Sequence, residues 1–351
     1  MTSKDSARTT PKIRFREPQI EMAHGAGGIA SRRLIEGLFV PLLNNSPLQP
    51  LGDAAYVNLN GSPVAITTDS FVVKPLRFPG GSIGELAVNG TVNDLAVSGA
   101  KAEALVVTFV LEAGLATSVL QAEIEAMAKA AQEAGVRIVG GDTKVVEHGK
   151  ADSMYIATTG IGAPIAGVEV NPASVRAGDK ILISGPIGDH GITILLARGE
   201  LDIEAELSSD TRSVLPFVEA IAAAAGLSIR WMRDPTRGGV ATSLNELARD
   251  CGLGIVLRED SIPVRDEVRG ACELLGLDPL HIANEGQFLA VVAPDAADEV
   301  LMAMRGTPGG GEACLIGEVR EQPAGAVLIT TQYGGTRIID MLVGDPLPRI
   351  C

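Results

Sequence analysis

The chain has 351 residues, 46% of them hydrophobic, which is enough for two domains of ordinary size, each with its own core. Its net charge of −14 and aromatic content of 3% argue against a nucleic-acid or membrane partner, because such surfaces need clustered Lys and Arg. The four cysteines show no CxxC spacing, so neither a zinc site nor a disulfide framework is indicated. The first twenty residues lack an apolar signal-peptide core, and no apolar run is long enough to span a bilayer. We therefore predict a cytoplasmic protein with reduced thiols.

The first half predicts an α/β unit behind a polar extension. Residues 1–20 are expected to be disordered, and residues 21–165 to form the first domain. A glycine loop at 24–28 precedes an amphipathic helix over 31–43, with Ser31 as its N-cap. Apolar runs predict strands over 64–69, 105–111, 136–139 and 154–161, with helices over 84–100 and 119–134.

The second half predicts another α/β unit over residues 166–335, so both halves belong to the mixed α/β (α+β) class. Strands are expected at 179–184, 254–257 and 288–292, and helices at 217–225 and after Gly238. Residues 336–351 predict a mobile tail, because Pro346 and Pro348 exclude helix and central strand. The tail ends in Cys351, whose thiol could enter an active site, accept a group and leave; the alternative is a tolerated surface cysteine.

Three aspartates in the first half share one context. Asp69 ends a predicted strand, Asp142 follows another strand after two glycines, and Asp94 lies on the helix between them. Carboxylates at strand ends point into the crevice where α/β sheets bind ligands. Since Mg²⁺ prefers a few carboxylates plus phosphate oxygens, the three predict a metal-nucleotide site. The alternative is that each aspartate stabilises a turn or caps a helix.

Two further residues are candidates for catalysis. Lys144 lies two residues after Asp142, on the same side of an extended chain, where its ammonium could stabilise charge during phosphoryl transfer. Glu285 precedes an apolar strand and could act as a general base if burial raises its pKa; a solvated turn is the alternative. Neither a P-loop nor a GxGxxG motif is present.

The combination of segments resembles the HypE family of hydrogenase maturation factors, which are carbamoyl dehydratases of the PurM-like superfamily. The aspartate segments are typical of the superfamily, whereas the terminal Pro-Arg-Ile-Cys is typical of HypE. The resemblance runs from about residue 22 to the end. The segments are 68–70, 92–96, 140–144, 188–191, 234–239 and 348–351.

The resemblance implies a two-domain PurM-like architecture and a homodimer whose N-terminal domains pair, with Mg²⁺ and ATP bound near the interface. It implies that a carbamoyltransferase, HypF, loads Cys351, that ATP-dependent dehydration gives an S-cyano group, and that cyanide passes to iron on a HypC–HypD complex. Two alternatives stay open: a small-molecule kinase or synthetase of the same superfamily, and a non-catalytic thiol carrier. The expected metal ligands are Asp69, Asp94 and Asp142, the expected ATP-binding residues are these three with Gly27, Gly28, Asn93 and Gly141, and the expected catalytic residues are Lys144, Glu285 and Cys351.

Overall fold

The computed structural model describes residues 14–43, 51–199, 205–344, 347 and 349–351. Most of the predicted N-terminal extension, residues 1–13, lies outside the described residues. Residues 14–20 are described and pack against the first helix. The Phe15 amide donates to the Gly37 carbonyl at 3.4 Å, and the Phe15 ring meets His24 edge to face, 5.2 Å between centroids. Residues 14–20 form no helix or strand, and the disorder expected for the extension stays a prediction.

The first half contains a five-stranded sheet with the order β1-β2-β7-β5-β6. All neighbouring pairs are antiparallel except β5–β6, whose parallel pairing is made possible by the crossover helix α4. In chain order the elements are α1 (Gly28–Leu34), a π-helical turn (Ile35–Phe39), α2 (Val40–Leu43), β1 (Ala55–Leu59), β2 (Ser62–Phe71), β3 (Arg77–Phe78), β4 (Gly81–Ser82), α3 (Ile83–Val97), β5 (Ala100–Glu112), α4 (Thr117–Glu133), β6 (Arg137–Val146) and β7 (Met154–Pro164).

Helix α3 lies between the sheet and the second half of the chain. Every residue of α3 except Glu85 and Asp94 is buried, as expected of a helix that packs on all sides. Gly90 allows the close approach of β2, since a Cβ there would lie 2.9 Å from the Phe71 ring. Asp94 is one of the two residues of α3 that are not buried, and it lines the cleft described below.

The second half contains a seven-stranded sheet with the order β14-β13-β10-β12-β8-β11-β9, covered on both faces. Successive residues of β8 enter different cores: Ile181 and Ile183 pack with Leu244 of α7, whereas Leu182 packs with Phe217 of α6. The elements are β8 (Lys180–Ile183), α5 (Asp189–Ala197), α6 (Leu215–Ala225), β9 (Ile229–Arg233), α7 (Gly239–Cys251), β10 (Gly254–Arg258), α8 (Asp266–Leu275), β11 (Leu289–Val292), α9 (Ala297–Gly306), β12 (Cys314–Arg320), β13 (Val327–Thr330) and β14 (Thr336–Ile339).

Two boundaries differ from the sequence predictions in ways that affect the site. The first helix begins at Gly28 rather than Ser31, and Ser31 accepts a hydrogen bond from the Gly27 amide at 2.8 Å. Strand β6 continues through the glycines to Val146, so Asp142 lies within a strand and not after its end. Among the described residues, no helix has the length and apolar character required to span a bilayer.

The segment predicted to be a mobile tail contains the strand β14, which pairs with β13. The second sheet thus extends to Ile339. Further along, Leu347, Ile350 and Cys351 are buried, with 5%, 2% and 8% of their surface exposed. In this structure the end of the chain is packed against both halves of the protein.

Candidate active site

A cleft of about 480 Å³ opens between the two halves of the chain, within the size range of small-molecule sites. Residues from α1, β2, α3, α7 and the loops that follow β9 and precede β11 contribute to it. The residues that line it include His24, Gly27, Gly28, Asp53, Asp69, Asp94, Asp234, Arg237 and Glu285.

Three carboxylates form the acidic centre of the cleft. Oxygen atoms of Asp53, Asp94 and Asp234 all lie within 4.8 Å of one another, which is the kind of oxygen cluster that a divalent cation requires. Asp94 also accepts a hydrogen bond from the Thr67 hydroxyl at 2.9 Å. Asp53 forms an ion pair with Arg233 at 2.8 Å, so one cation of the protein already balances part of this charge.

Burial and mutual repulsion make this cluster electrostatically unfavourable. Burial, together with Asp234 and Asp53, raises the pKa of Asp94 well above its ordinary value. Burial first, and then the negative charge of Asp53, raises the pKa of Asp234 to about 8. Buried like charges favour protonation, and a bound cation would relieve the repulsion. The arrangement therefore suits a divalent metal ion.

Asp69 and Glu285 extend the acidic wall, and Arg237 lies among them. Burial, then Asp69 and Asp234, raises the pKa of Glu285 well above its ordinary value, while Arg237 opposes the shift. The Arg237 guanidinium lies 4.0 Å from Asp69 and donates to the Gly25 carbonyl at 2.8 Å. Glu285 thus occupies the buried position that the base hypothesis requires.

The glycine loop before α1 passes close to the backbone of two distant segments. Gly27 and Gly28 have φ of +80° and +69°, and a Cβ on Gly28 would lie 2.4 Å from the Leu342 carbonyl oxygen. A side chain at either position would therefore be strained. Both glycines line the cleft, where a backbone without side chains allows a ligand to approach closely.

Cys351 lies beside this cleft. Its main-chain oxygen accepts a hydrogen bond at 2.9 Å from the amide of Val72, which lies two residues after Ser70. The negative charge of Cys351 is the largest cause that raises the pKa of Arg237. The structure therefore brings the terminal residue to the same arginine that contacts the acidic wall.

Asp142 and Lys144 lie outside the cleft. Across the sheet, Asp69 on β2 is aligned with one residue on β7, one on β5 and then Gly141 on β6. Gly141 is therefore three strand spacings, or roughly 14 Å, from Asp69. Asp142 is one residue further along β6, so its side chain points to the opposite face of the sheet. Within one chain Asp142 therefore does not meet Asp69 and Asp94, and its membership of the metal site stays a prediction.

On the outer face Asp142 and Lys144 form an ion pair at 2.6 Å. The hydrogen bond from Lys144 lowers the pKa of Asp142, and the contact confirms that the two side chains share one side of the strand. Strand packing accounts for the glycine at position 141, because a Cβ there would lie 1.9 Å from the Val107 carbonyl oxygen.

Asn93 is also absent from the cleft lining. Its side-chain amide donates to the carbonyls of Arg212 and Glu285 at 2.9 and 3.1 Å, and its oxygen accepts from the Val214 amide at 2.8 Å. Its hydrogen-bonding groups are therefore occupied in joining α3 to the second half. In this geometry Asn93 positions the loop that carries Glu285, and its contact with the nucleotide stays a prediction.

Comparison with known proteins assigns the chain to a family. Residues 51–163 and 176–330 match the N-terminal and C-terminal domains of AIR synthase related proteins. Carbamoyl dehydratase HypE of Azotobacter vinelandii is 48% identical over 340 residues, which cover 97% of this chain and 99% of that protein. The HypE of Escherichia coli K12 is 44% identical over 337 residues. The chain belongs to the HypE family.

Solved HypE structures agree with the fold described above. A HypE in complex with ATP is 45% identical, has a TM-score of 0.79, and covers 94% of this chain and 99% of its own. A HypE from a HypE–HypF complex is 44% identical, with a TM-score of 0.83, and covers 88% of this chain. A thiamine monophosphate kinase complex shares only the fold, at 21% identity and a TM-score of 0.66. The expected two-domain PurM-like architecture is confirmed.

Two members of the acidic cluster, Asp53 and Asp234, are not predicted as ligands from the sequence. Asp53 stands before β1 in no recognisable pattern, and only its proximity to Asp94 in space reveals it. In the sequence Asp234 stands out only as the first residue of the 234–239 segment. A signal was present there, because Asp234 follows β9 directly and precedes two glycines with positive φ, Gly238 and Gly239.

Proposed function

We propose that this HypE-family protein dehydrates an S-carbamoyl group on its own Cys351 to an S-cyano group, with ATP as co-substrate. The observation that carries the proposal is the position of Cys351, which is buried beside a cleft lined by a carboxylate cluster, Arg237 and Glu285. The ATP complex of a HypE relative supports the choice of nucleotide. The product would supply a cyanide ligand for hydrogenase iron.

The reaction balances without an added oxidant or reductant. The carbonyl oxygen of Cys351-S-C(=O)-NH₂ attacks the γ-phosphorus of ATP, and ADP leaves. Loss of one N–H proton gives an imidate that carries the phosphate, and loss of the second expels inorganic phosphate and leaves Cys351-S-C≡N. The oxygen removed as water ends up in phosphate. The protein must therefore hold the nucleotide, accept protons and place the thiol.

The acidic cluster suits Mg²⁺, which would supply charge neutralisation at the phosphates. Asp94 and Asp234 are hard oxygen donors whose pKa values are raised by burial and mutual repulsion, so a cation between them removes an unfavourable interaction. Asp53 completes the set, and Asp69 faces the same space. Gly27 and Gly28 leave room for the phosphates beside α1.

Glu285 fits the role of proton acceptor. It is 4% exposed, and burial is the first cause of its raised pKa, which suits proton transfer near neutral pH. The charges of Cys351 and Glu285 both act on Arg237 and raise its pKa. We assign the N–H proton to Glu285 and the placement of the tail to Arg237.

A homodimer accounts for the outer face of the first sheet. Apolar side chains are exposed there: Val57, Ile66, Val106 and Ile161 are each between 37% and 43% exposed, and such contiguous patches mark interfaces. Asp142 and Lys144 lie on this face. In a dimer formed through it, this pair would belong to the interface, and we infer that Lys144 acts there on the neighbour's phosphate.

The partners follow from the chemistry. A carbamoyltransferase of the HypF kind must load the thiol, and a HypE–HypF complex is known for a relative. An iron-bearing scaffold, HypC with HypD, would accept the cyanide. The cytoplasmic location predicted from the sequence is part of the same proposal.

Intact mass spectrometry tests the proposal directly. Protein loaded by the carbamoyltransferase should lose the mass of one water on addition of Mg²⁺ and ATP, with one ADP and one phosphate released per chain. The change should map to the peptide that ends at Cys351 and vanish in Cys351→Ser. A loaded protein whose mass stays constant while ATP is consumed would overturn the dehydratase assignment and favour a small-molecule kinase.

A further inference from the structure

The last residues of the chain are held through their main chain, away from the acidic cluster. His190 donates from Nε2 to the Ile350 carbonyl at 3.0 Å, and Arg198 donates to the Arg349 carbonyl at 2.9 Å. The Val72 amide donates to the main-chain oxygen of Cys351 at 2.9 Å. Because these bonds reach backbone atoms, they stay available whatever group the sulfur carries.

The imidazole of His190 is itself fixed in place. It is fully buried, its Nδ1 lies 2.8 Å from the Ser209 hydroxyl, and its ring meets Phe78 edge to face at 5.6 Å. Donation from Nε2 to a carbonyl leaves Nδ1 to accept from Ser209. A neutral His190 thus carries its proton on Nε2, and this N–H is directed at the Ile350 carbonyl of the tail.

A second contact is ionic. The Arg349 guanidinium pairs with Asp152 at 2.5 Å and donates from Nε to the Val72 carbonyl at 3.1 Å. Lys74 lies 3.3 Å from the same carboxylate. Asp152 stands in the connection before β7, with its side chain 32% exposed, so it is outside the cleft.

The docked tail also contains an unfavourable element. Arg349 has φ of +58°, in the left-handed region that residues with a Cβ rarely adopt and that costs free energy. The hydrogen bonds and the ion pair must offset this cost. Docking is therefore a balance that a single contact can shift.

We propose that Asp152 and His190 are positioning residues for the tail. The Asp152–Arg349 pair sets the equilibrium between the docked tail, with the thiol beside the cleft, and an undocked tail whose thiol is accessible to a loading enzyme. This inference rests on the proposed function. Cys351 is 8% exposed in the docked position, so it cannot be loaded there by another protein. Weakening the pair should then affect the two half-reactions in opposite directions.

Thiol alkylation measures docking without any carbamoyl chemistry. In Asp152→Asn, N-ethylmaleimide should modify Cys351 about fivefold faster than in the unmodified protein, the fold-change that corresponds to a partly exposed ion pair of about 1 kcal/mol. The rate is read by mass spectrometry on the C-terminal peptide, with Cys314 in the same digest as the internal reference. Added salt should raise the rate in the unmodified protein and leave the variant unchanged.

The matched control is Glu147→Gln, which removes one exposed negative charge from the same β6–β7 connection. Its alkylation rate should equal that of the unmodified protein. Equal rates for Asp152→Asn and Glu147→Gln would overturn the inference. His190→Gln, which keeps an N–H donor, should dock nearly normally, whereas His190→Ala should not; if the latter fails to fold, the Asp152 comparison still decides.

Kinetics separate this inference from the proposed function. Asp152→Asn should be loaded faster by the carbamoyltransferase, while single-turnover dehydration of preloaded protein should be slower by a similar factor. A merely structural defect would slow both. If alkylation responds as expected and the unmodified protein never forms the S-cyano product, docking stands and the dehydratase proposal fails.

Discussion

At the scale of single residues, Asp234 connects the electrostatics of the cleft to metal binding. Burial and Asp53 raise its pKa to about 8, so without a cation the carboxyl is largely protonated at neutral pH. An asparagine has nearly the same shape and the same lack of charge. The residue can therefore be replaced without disturbing the empty cleft, which makes it a sharp test of the cluster.

We expect Asp234→Asn to melt within about 2 °C of the unmodified protein when no ligand is present. Mg²⁺ and ATP at about 100 times the dissociation constant should stabilise the unmodified protein by about 2.7 kcal/mol, and the variant should lose most of this gain. Thermal unfolding with and without Mg²⁺-ATP measures both quantities. Asp260→Asn, an exposed acid elsewhere, is the control. Full stabilisation of Asp234→Asn by Mg²⁺-ATP would remove Asp234 from the metal site.

His190 makes a pH-dependent contribution to stability. Burial lowers its pKa from 6.5 to about 4, so the folded protein keeps it neutral where the unfolded chain binds a proton. The contribution is complete above pH 6.5 and is lost as the pH falls towards 4.

Between pH 7 and pH 5 the loss amounts to about 2 kcal/mol. His190→Gln cannot take up this proton and should lack that part of the pH dependence. Urea unfolding of both proteins at the two pH values gives the difference, in which the carboxyl groups common to both cancel. A variant with the same pH dependence as the unmodified protein would contradict the assignment.

At the scale of elements, α1 and the segment after β14 depend on each other. The first amides of α1, from Ile29 and Ala30, donate to the carbonyls of Leu342 and Val343 at 3.0 and 3.1 Å. These bonds satisfy donors that a helix N-terminus leaves open. Gly28, the residue before them, lies where α1 comes closest to the backbone of Leu342.

Gly28→Ala should therefore destabilise the protein by about 1–3 kcal/mol, because φ is +69° and the new Cβ would lie 2.4 Å from the Leu342 carbonyl oxygen. Gly25→Ala is the control, since no atom lies within 4 Å of a Cβ there. Denaturant unfolding compares the two. Equal stabilities would mean that α1 and the C-terminal segment are not in contact in solution.

At the scale of the whole molecule, the two faces of the first sheet differ in what they contact. The inner face packs on α3 and carries Asp69 to the cleft. The outer face exposes apolar side chains together with Asp142 and Lys144. Antiparallel sheets can leave one face in water, but such a face is normally polar, which is why we assign this one to a homodimer.

Ile161→Asp should convert the dimer to monomers, because it places a charge opposite Ile66 in the middle of the apolar face. Light scattering after size-exclusion chromatography measures the mass, and dehydration should fall with it because Lys144 would no longer reach a neighbour. Leu227→Asp, at a residue 79% exposed in the second half, should remain dimeric. A monomeric but fully active Ile161→Asp would separate the interface from the reaction.

How far the sequence determined the site can be judged from the aspartates. The strand pattern predicts Asp69 at a strand end, and the helix pattern predicts Asp94 on the helix that follows. Both residues line the cleft. Asp142 was assigned to the same cleft because two glycines were taken to end its strand. The strand continues, and a shift of one residue in register turns the side chain to the other face. Asp53, whose surroundings carry no local signal, was missed.

The sequence by itself determined the types of element, the two α/β halves and the HypE family, because these depend on local pattern and on residue identity. Only the tertiary structure decided that Asp53 and Asp234 join Asp94, that Asp142 and Lys144 face away, and that Cys351 is docked beside the cleft. The reason is physical: local pattern sets the conformation of a segment, but strand register and packing between distant segments set which side chains meet.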